Sequence, residues 1–282
     1  MVARNAVVDA APGWKANWAM PSSNSGSNPG SNPGSNPGDN ARGASEFSTN
    51  APSLRPLSPD DVRRMDQMAA IDFGLPTLVL MENAGQQCAR ALLRRDPELG
   101  RDPQFGRVVI LAGKGNNGGD GMVMARHLDG LGVDVRLVTW WDAPQMSPDA
   151  ATNWAALQRT DIDCISLGAE ASAQEIAKQF EGAAWVVDAM LGIGVSGKPR
   201  GPIATALQSL SGVSVRRFCI DWPTGIACET GEPSCSSPFR ADLTCTLVGP
   251  KVHQDRAAEF CGEVVVAEIG LPRSLLQAFS QA

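Results

Sequence analysis

The sequence contains no tyrosine and only two histidines, His127 and His253, in 282 residues. The first absence removes the Tyr-x-x-x-Lys acid on which short-chain dehydrogenases depend. The second leaves no histidine beside a strand-end carboxylate to serve as a proton relay. His127, inside the helical segment ARHL, reads as a packed or surface residue. No apolar run approaches the ~18 residues of a membrane span. The seven cysteines (88, 164, 219, 228, 235, 245 and 261) are odd in number and form no Cys-x-x-Cys pair. That excludes a regular disulfide framework and a common zinc site, and leaves free structural thiols of a reducing compartment. Positive charge is in deficit, with 24 Lys and Arg against 30 Asp and Glu, which argues against a general nucleic-acid or anionic-membrane surface. The first twenty residues lack the uninterrupted apolar core of a secretory signal, so a cytoplasmic location is expected.

What is present falls into two parts. Three tandem copies of Ser-Asn-Pro-Gly occupy 27–30, 31–34 and 35–38. Proline and glycine at that density hold neither a helix nor a sheet ladder, so residues 1–55 are expected to be a disordered leader. Order is expected over 56–282, opening with Ser58-Pro59-Asp60-Asp61 as a helix N-cap. From residue 108 onward, wholly apolar runs such as VVILA and AAWVVDAML alternate with helical segments. Such a pattern implies a mostly parallel sheet covered on both faces, a doubly wound, Rossmann-like three-layer α/β/α domain. The last two strand-like runs, LTCTLV and EVVVAEI, have no evident helix between them, which points to a mixed edge of the sheet.

In such a fold ligands bind beyond the carboxyl ends of the strands. Three strands here run into unusual polar sequence: GKGNNGGDG (113–121) after VVILA, GIGVSGK (192–198) after AAWVVDAML, and WPTG after VRRFCID. The first two match Gly-x-Gly-x-x-Gly, whose backbone amides can hold diphosphate or ribose oxygens; each could also be only a tight turn. Walker A is excluded, because no Lys-Ser/Thr follows at the required spacing. Asn117, Asp188 and Thr224 offer oxygen donors from three loops, a hard-cation set with a single carboxylate and therefore suited to a monovalent ion. Asp221 is left free for a ligand hydroxyl, and Asp188 is expected to be buried at a cost unless it is paired.

LMENAG (80–85), AGKGNNGGDGMVMARHL (112–128), VVDAMLGIGVSGKPRGP (186–202), IDWPTGI (220–226), ADLTCTLVGPK (241–251) and GEVVVAEIGLP (262–272) occur in that order. Together they resemble the NAD(P)H-hydrate epimerase family, the YjeF N-terminal domain, over about 57 to 273. The resemblance implies a Rossmann-like homodimer that interconverts the R and S epimers of hydrated NADH and NADPH at C6 of the nicotinamide ring. It implies substrate contacts from Asn116, Asn117, Gly118, Gly119 and Asp120, from Gly192, Ile193, Gly194, Val195, Ser196, Gly197 and Lys198, and from Asp221. It implies one K+ per subunit on Asn117, Asp188 and Thr224. Asp188 is the expected general acid/base. Thr224 stands where the family usually has serine, Trp222 replaces an aliphatic residue, and the segment after Lys251 departs from a glycine-containing turn. Many bacterial relatives continue into a dehydratase domain; with this chain ending at Ala282, a separate NAD(P)H-hydrate dehydratase is the expected partner. The same fold also serves as a non-catalytic interaction module in RNA-processing and lipoprotein-binding scaffolds, and an undefined oxidoreductase is a further alternative.

Overall fold

The computed structural model describes residues 52–101 and 105–281. The leader expected over 1–55 thus lies outside the described residues as far as position 51. Its last residues are ordered, contrary to the expected boundary at 56: Leu54 is buried and bridges Ser280, and Leu57 bridges Lys251. Both leucines belong to a core formed with the two terminal helices, which is why the chain orders before the N-cap.

In chain order the elements are α1 (Pro59–Asp72), α2 (Thr77–Arg95), β1 (Arg107–Ala112), α3 (Asn116–Asp129), β2 (Val135–Thr139), α4 (Pro148–Leu157), β3 (Asp163–Ser166), α5 (Ala173–Lys178), β4 (Ala183–Ala189), α6 (Pro202–Leu210), β5 (Arg216–Ile220), β6 (Leu243–Leu247), α7 (Ala258–Cys261), β7 (Glu263–Ala267) and α8 (Arg273–Gln277). The cap of α1 forms as expected: the Asp61 amide donates to Ser58 Oγ (3.2 Å) and the Ser58 amide to Asp61 Oδ2 (2.9 Å).

The strands form one sheet in the order β3-β2-β1-β4-β5-β6-β7, and every pairing is parallel. The expected mixed edge is therefore wrong. Residues 248–262, with the four-residue α7 in them, carry the chain back across the sheet, so a long helix is not required for the crossover. Alternation along the strands sends side chains to opposite faces. Val108, Ile110 and Ala112 pack with α2, α3 and α4, whereas Val109 and Leu111 pack with Ile176 of α5 and Ile203 of α6. Burying each such side chain contributes about 1.5–3 kcal/mol. His127 joins α3 to α2 through Glu82 (Nε2 to Oε1, 2.8 Å), a surface contact as expected. All seven cysteines are free. Among the described residues no helix is long and apolar enough to cross a membrane.

The strand order reverses between β1 and β4, since the chain moves outward from β1 through β2 and β3 and then returns to the other side of β1. That switch point fixes where a crevice opens.

Candidate active site

At the switch point the loops after β1 and β4 are pressed together. The Gly113 amide donates to the Ala189 carbonyl (2.9 Å). A Cβ on Gly113 would collide with the Met190 carbonyl oxygen, and one on Gly118 with the Gly113 carbonyl oxygen. These two glycines therefore serve close backbone approach. Gly119 has a similar duty, because a Cβ there would stand 2.5 Å from Met81 Sδ of α2. Only Gly115 of the loop meets open space. The motif expected to be a loop in fact becomes helix at Asn116, with Gly115 as an N-cap that supplies no side-chain bond. The first-turn amides of α3 are left without intrahelical partners and carry the positive end of the helix dipole.

A cavity of about 470 Å³ opens over these loops. Its floor is the start of α3 with Lys114, Asn116, Asn117 and Asp120. Met190 to Val195 wall one side, and Asp221 with Leu247, Val248 and Lys251 wall another. Val62, Arg63 and Asp66 of α1 and Leu80, Met81 and Ala84 of α2 close it. Of the residues expected to contact substrate, Asn116, Asn117, Asp120, Gly192, Ile193, Gly194, Val195 and Asp221 line this cavity. Gly118 and Gly119 do not, being spent on packing, and Ser196, Gly197 and Lys198 lie beyond the lining.

Asn117, Asp188 and Thr224 do meet. Asn117 Nδ2 donates to the Leu191 carbonyl (3.1 Å), the Leu191 amide donates to Thr224 Oγ1 (3.2 Å), and Thr224 Oγ1 donates to Asp188 Oδ1 (2.8 Å). Asp188 also accepts from the Thr224 amide (2.8 Å) and the Met190 amide (3.1 Å). It is fully buried and does not line the cavity. Burial pushes its pKa up to about 6 against those three hydrogen bonds. The expected acid/base thus stands behind the wall, with both carboxylate oxygens engaged.

Asp221 is not free either. Lys251 Nζ sits 2.6 Å from its Oδ1, and the Leu247 amide donates to the same oxygen (3.1 Å). The ammonium, 2 % exposed, further donates to Thr246 Oγ1 (2.8 Å), the Leu247 carbonyl (2.8 Å) and the Gly249 carbonyl (3.2 Å). Asp221 and Val248 hold left-handed backbone at φ 65° and 69°, a conformation rare for any residue but glycine. One lysine thereby fixes two strained turns by grasping the carbonyls on either side of Val248. Trp222 turns away from the cavity, its Nε1 donating to the Ile226 carbonyl (2.9 Å) within a separate apolar cluster.

Residues 77–253 match the family described as YjeF-related protein N-terminus. The chain belongs to the YjeF N-terminal family. It is 44% identical over 217 residues to an NAD(P)H-hydrate epimerase of Pirellula staleyi, across 76% of this chain and 92% of that protein. An NAD(P)H-hydrate epimerase of Rhodopirellula baltica is 36% identical over 80% of this chain and 89% of its own length. A bifunctional NAD(P)H-hydrate repair enzyme of Archaeoglobus fulgidus is 38% identical over 72% of this chain, but over only 39% of that protein. The crystal structure of a yeast protein shares the fold, with a TM-score of 0.68 at 22% identity over 81% of this chain and 94% of that one.

Four charged residues of the cavity escaped the sequence reading: Arg63, Asp66, Lys114 and Lys251. Lys251 lay inside a quoted motif, yet nothing local says that a lysine after a buried strand turns inward. Asp66 sits in an amphipathic helix among other acids and looks solvated. Lys114 carried a signal, since it stands between two glycines at the mouth of α3.

Proposed function

We propose that this YjeF-family chain is an isomerase that interconverts the R and S epimers of hydrated NADH and NADPH at C6 of the nicotinamide ring. What carries the reading is the convergence of the connections after β1, β4 and β5 at one cavity beside the open N-terminus of α3, with Asn117 and Asp221 lining it and Asp188 bonded to Thr224 behind its wall. The relatives named above support it. A cavity of about 470 Å³ lies in the range of small-molecule sites. The free first-turn amides of α3 and the Lys114 ammonium suit the diphosphate of a dinucleotide.

The centre that epimerises is a hemiaminal, with a hydroxyl on the carbon next to ring nitrogen. Inversion requires the C6–O bond to break and reform, with a proton moved on and off oxygen. Asp221, held by Lys251, orients the ring or ribose. Asn117, Asp188 and Thr224 suit one K+ per subunit: a single carboxylate with neutral oxygens matches a monovalent cation, and no cluster of three or more His, Cys, Asp or Glu side chains competes among the described residues. When bound, the ion supplies the positive charge that a buried Asp188 lacks and ties the loop after β4 to the one after β5. Asp188 therefore holds the cation and the loops, and the proton-moving task passes to a group that faces the cavity. The chain works as a homodimer in the cytoplasm, alongside a dehydratase activity that consumes the hydrate.

Chromatographic separation of the epimers tests this. Purified protein added to R-enriched NADPH hydrate should bring the two forms to equilibrium faster than buffer does, and faster in K+ than in tetramethylammonium. Equilibration at the buffer rate would refute the assignment.

A further inference from the structure

Three carboxylates border the cavity, on Asp66, Asp120 and Asp221, and they differ in what holds them. Asp221 is paired with Lys251 and the Leu247 amide. Asp120, in the second turn of α3 and only 7 % exposed, accepts no hydrogen bond from any described residue. Asp66 of α1 is likewise without a partner among the described residues. An unpaired side chain buried to this degree and opening into a ligand cavity is free to bond to what enters the cavity.

We propose that Asp120 is the group that gives the proton to, and takes it back from, the C6 oxygen, with Asp66 a positioning carboxylate for it. This rests on the epimerase reading and deepens it. The Asp120 O–H proton passes to the C6 hydroxyl oxygen. The C6–O bond breaks with its electron pair leaving on water, while the ring-nitrogen lone pair forms the C6=N1 iminium. Asp120 is left as a carboxylate beside that cation. Water then adds to the opposite face of C6, the π electrons return to nitrogen, and the surplus proton goes back to Asp120. Nothing is oxidised or reduced, and substrate and product have one composition.

The surroundings suit a neutral acid. Burial, and after it the negative charges of Asp221 and Asp66, hold the Asp120 carboxyl well above the usual range. Asp66 is itself pushed up to about 6, by burial and then by Asp221. The other titratable groups around them are Arg63 on α1, the Cys88 thiol beneath on α2, Lys114 after β1 and Lys251 after β6. Removing the Asp66 charge makes Asp120 easier to ionise.

The experiment compares wild type, Asp120→Asn and Asp66→Asn on R-enriched NADPH hydrate by epimer chromatography, with melting temperature as the control for folding. Asp120→Asn should lose at least ~100-fold in kcat, the usual contribution of a general acid, with KM changed less than about threefold. Asp66→Asn should stay active near neutrality, with the alkaline limb of its kcat/KM profile displaced to lower pH. An Asp120→Asn protein within about threefold of wild-type kcat overturns the proposal, and so does an unmoved alkaline limb in Asp66→Asn. Wild-type protein that leaves the epimers at the buffer rate sinks the epimerase reading, and this proposal with it.

Discussion

Replacing Lys251 by methionine removes one charge from the centre of the site while nearly keeping its volume. The ammonium has four contacts in the protein: an ion pair with Asp221 Oδ1 and hydrogen bonds to Thr246 Oγ1 and the carbonyls of Leu247 and Gly249. In Lys251→Met the carboxylate of Asp221, 6 % exposed, keeps only the Leu247 amide. Breaking a buried pair from one side costs about 3–5 kcal/mol, mostly because the remaining charge stays desolvated. At about 2–4 °C per kcal/mol for a domain of this size, the melting temperature should fall by about 6–20 °C. Adding Asp221→Asn removes the stranded charge, so the double variant should recover about 2 kcal/mol relative to the sum of the singles. Calorimetric melting of all four proteins measures both quantities. A Lys251→Met protein melting within 2 °C of wild type, by the rule of about 2–4 °C per kcal/mol, would contradict a structural role for the pair. Strict additivity would show that the two residues are not coupled.

Two glycines of the same motif should behave oppositely. Gly118→Ala drives a methyl into the Gly113 carbonyl and should cost at least about 3 kcal/mol, read by urea unfolding, whereas Gly115→Ala meets nothing and should leave stability within about 1 kcal/mol while raising KM. Asp66 gives a pH signature of known sign. Its folded pKa of about 6 lies above the unfolded value, so the native state binds the extra proton and the stability it contributes is present below about pH 4 and lost as pH rises through 6. Asp66→Asn should therefore be more stable than wild type by about 1–2 kcal/mol at pH 8, after discounting for solvent, and equal to it at pH 4. Thermal melts in K+ against tetramethylammonium should show stabilisation of wild type that Thr224→Val abolishes, and equal K+ effects in the two proteins would remove Thr224 from the ion site.

Much of the architecture was legible because its signals are local. Apolar strands buried on both faces read as unbroken runs, and VVILA and AAWVVDAML became the adjacent central strands β1 and β4. The three polar strand ends followed, since a parallel sheet puts all of them on one side. What failed to show was set by partners distant in the chain. β7 looked able to run antiparallel because the short α7 is too brief to leave a periodic trace. Gly118 and Gly119 looked like ligand contacts, since a glycine needed for a neighbour's backbone and one needed for a phosphate are identical in sequence. Asp188 looked like the proton carrier because a carboxylate after three apolar residues advertises burial but not which side of the wall it faces. Asp66 matters through Asp120 and Asp221, which lie on other elements, and Lys251 through Asp221 at the end of a neighbouring strand; the spacing within a single element reveals neither.

Val248 adopts a backbone shape that a β-branched side chain tolerates poorly, and it does so between the two carbonyls that Lys251 grips. A protein engineer hunting for stabilising substitutions would choose glycine there first. The thermal gain would come with a looser hinge beneath Asp221, so hardiness and turnover should trade against each other at this one peptide unit.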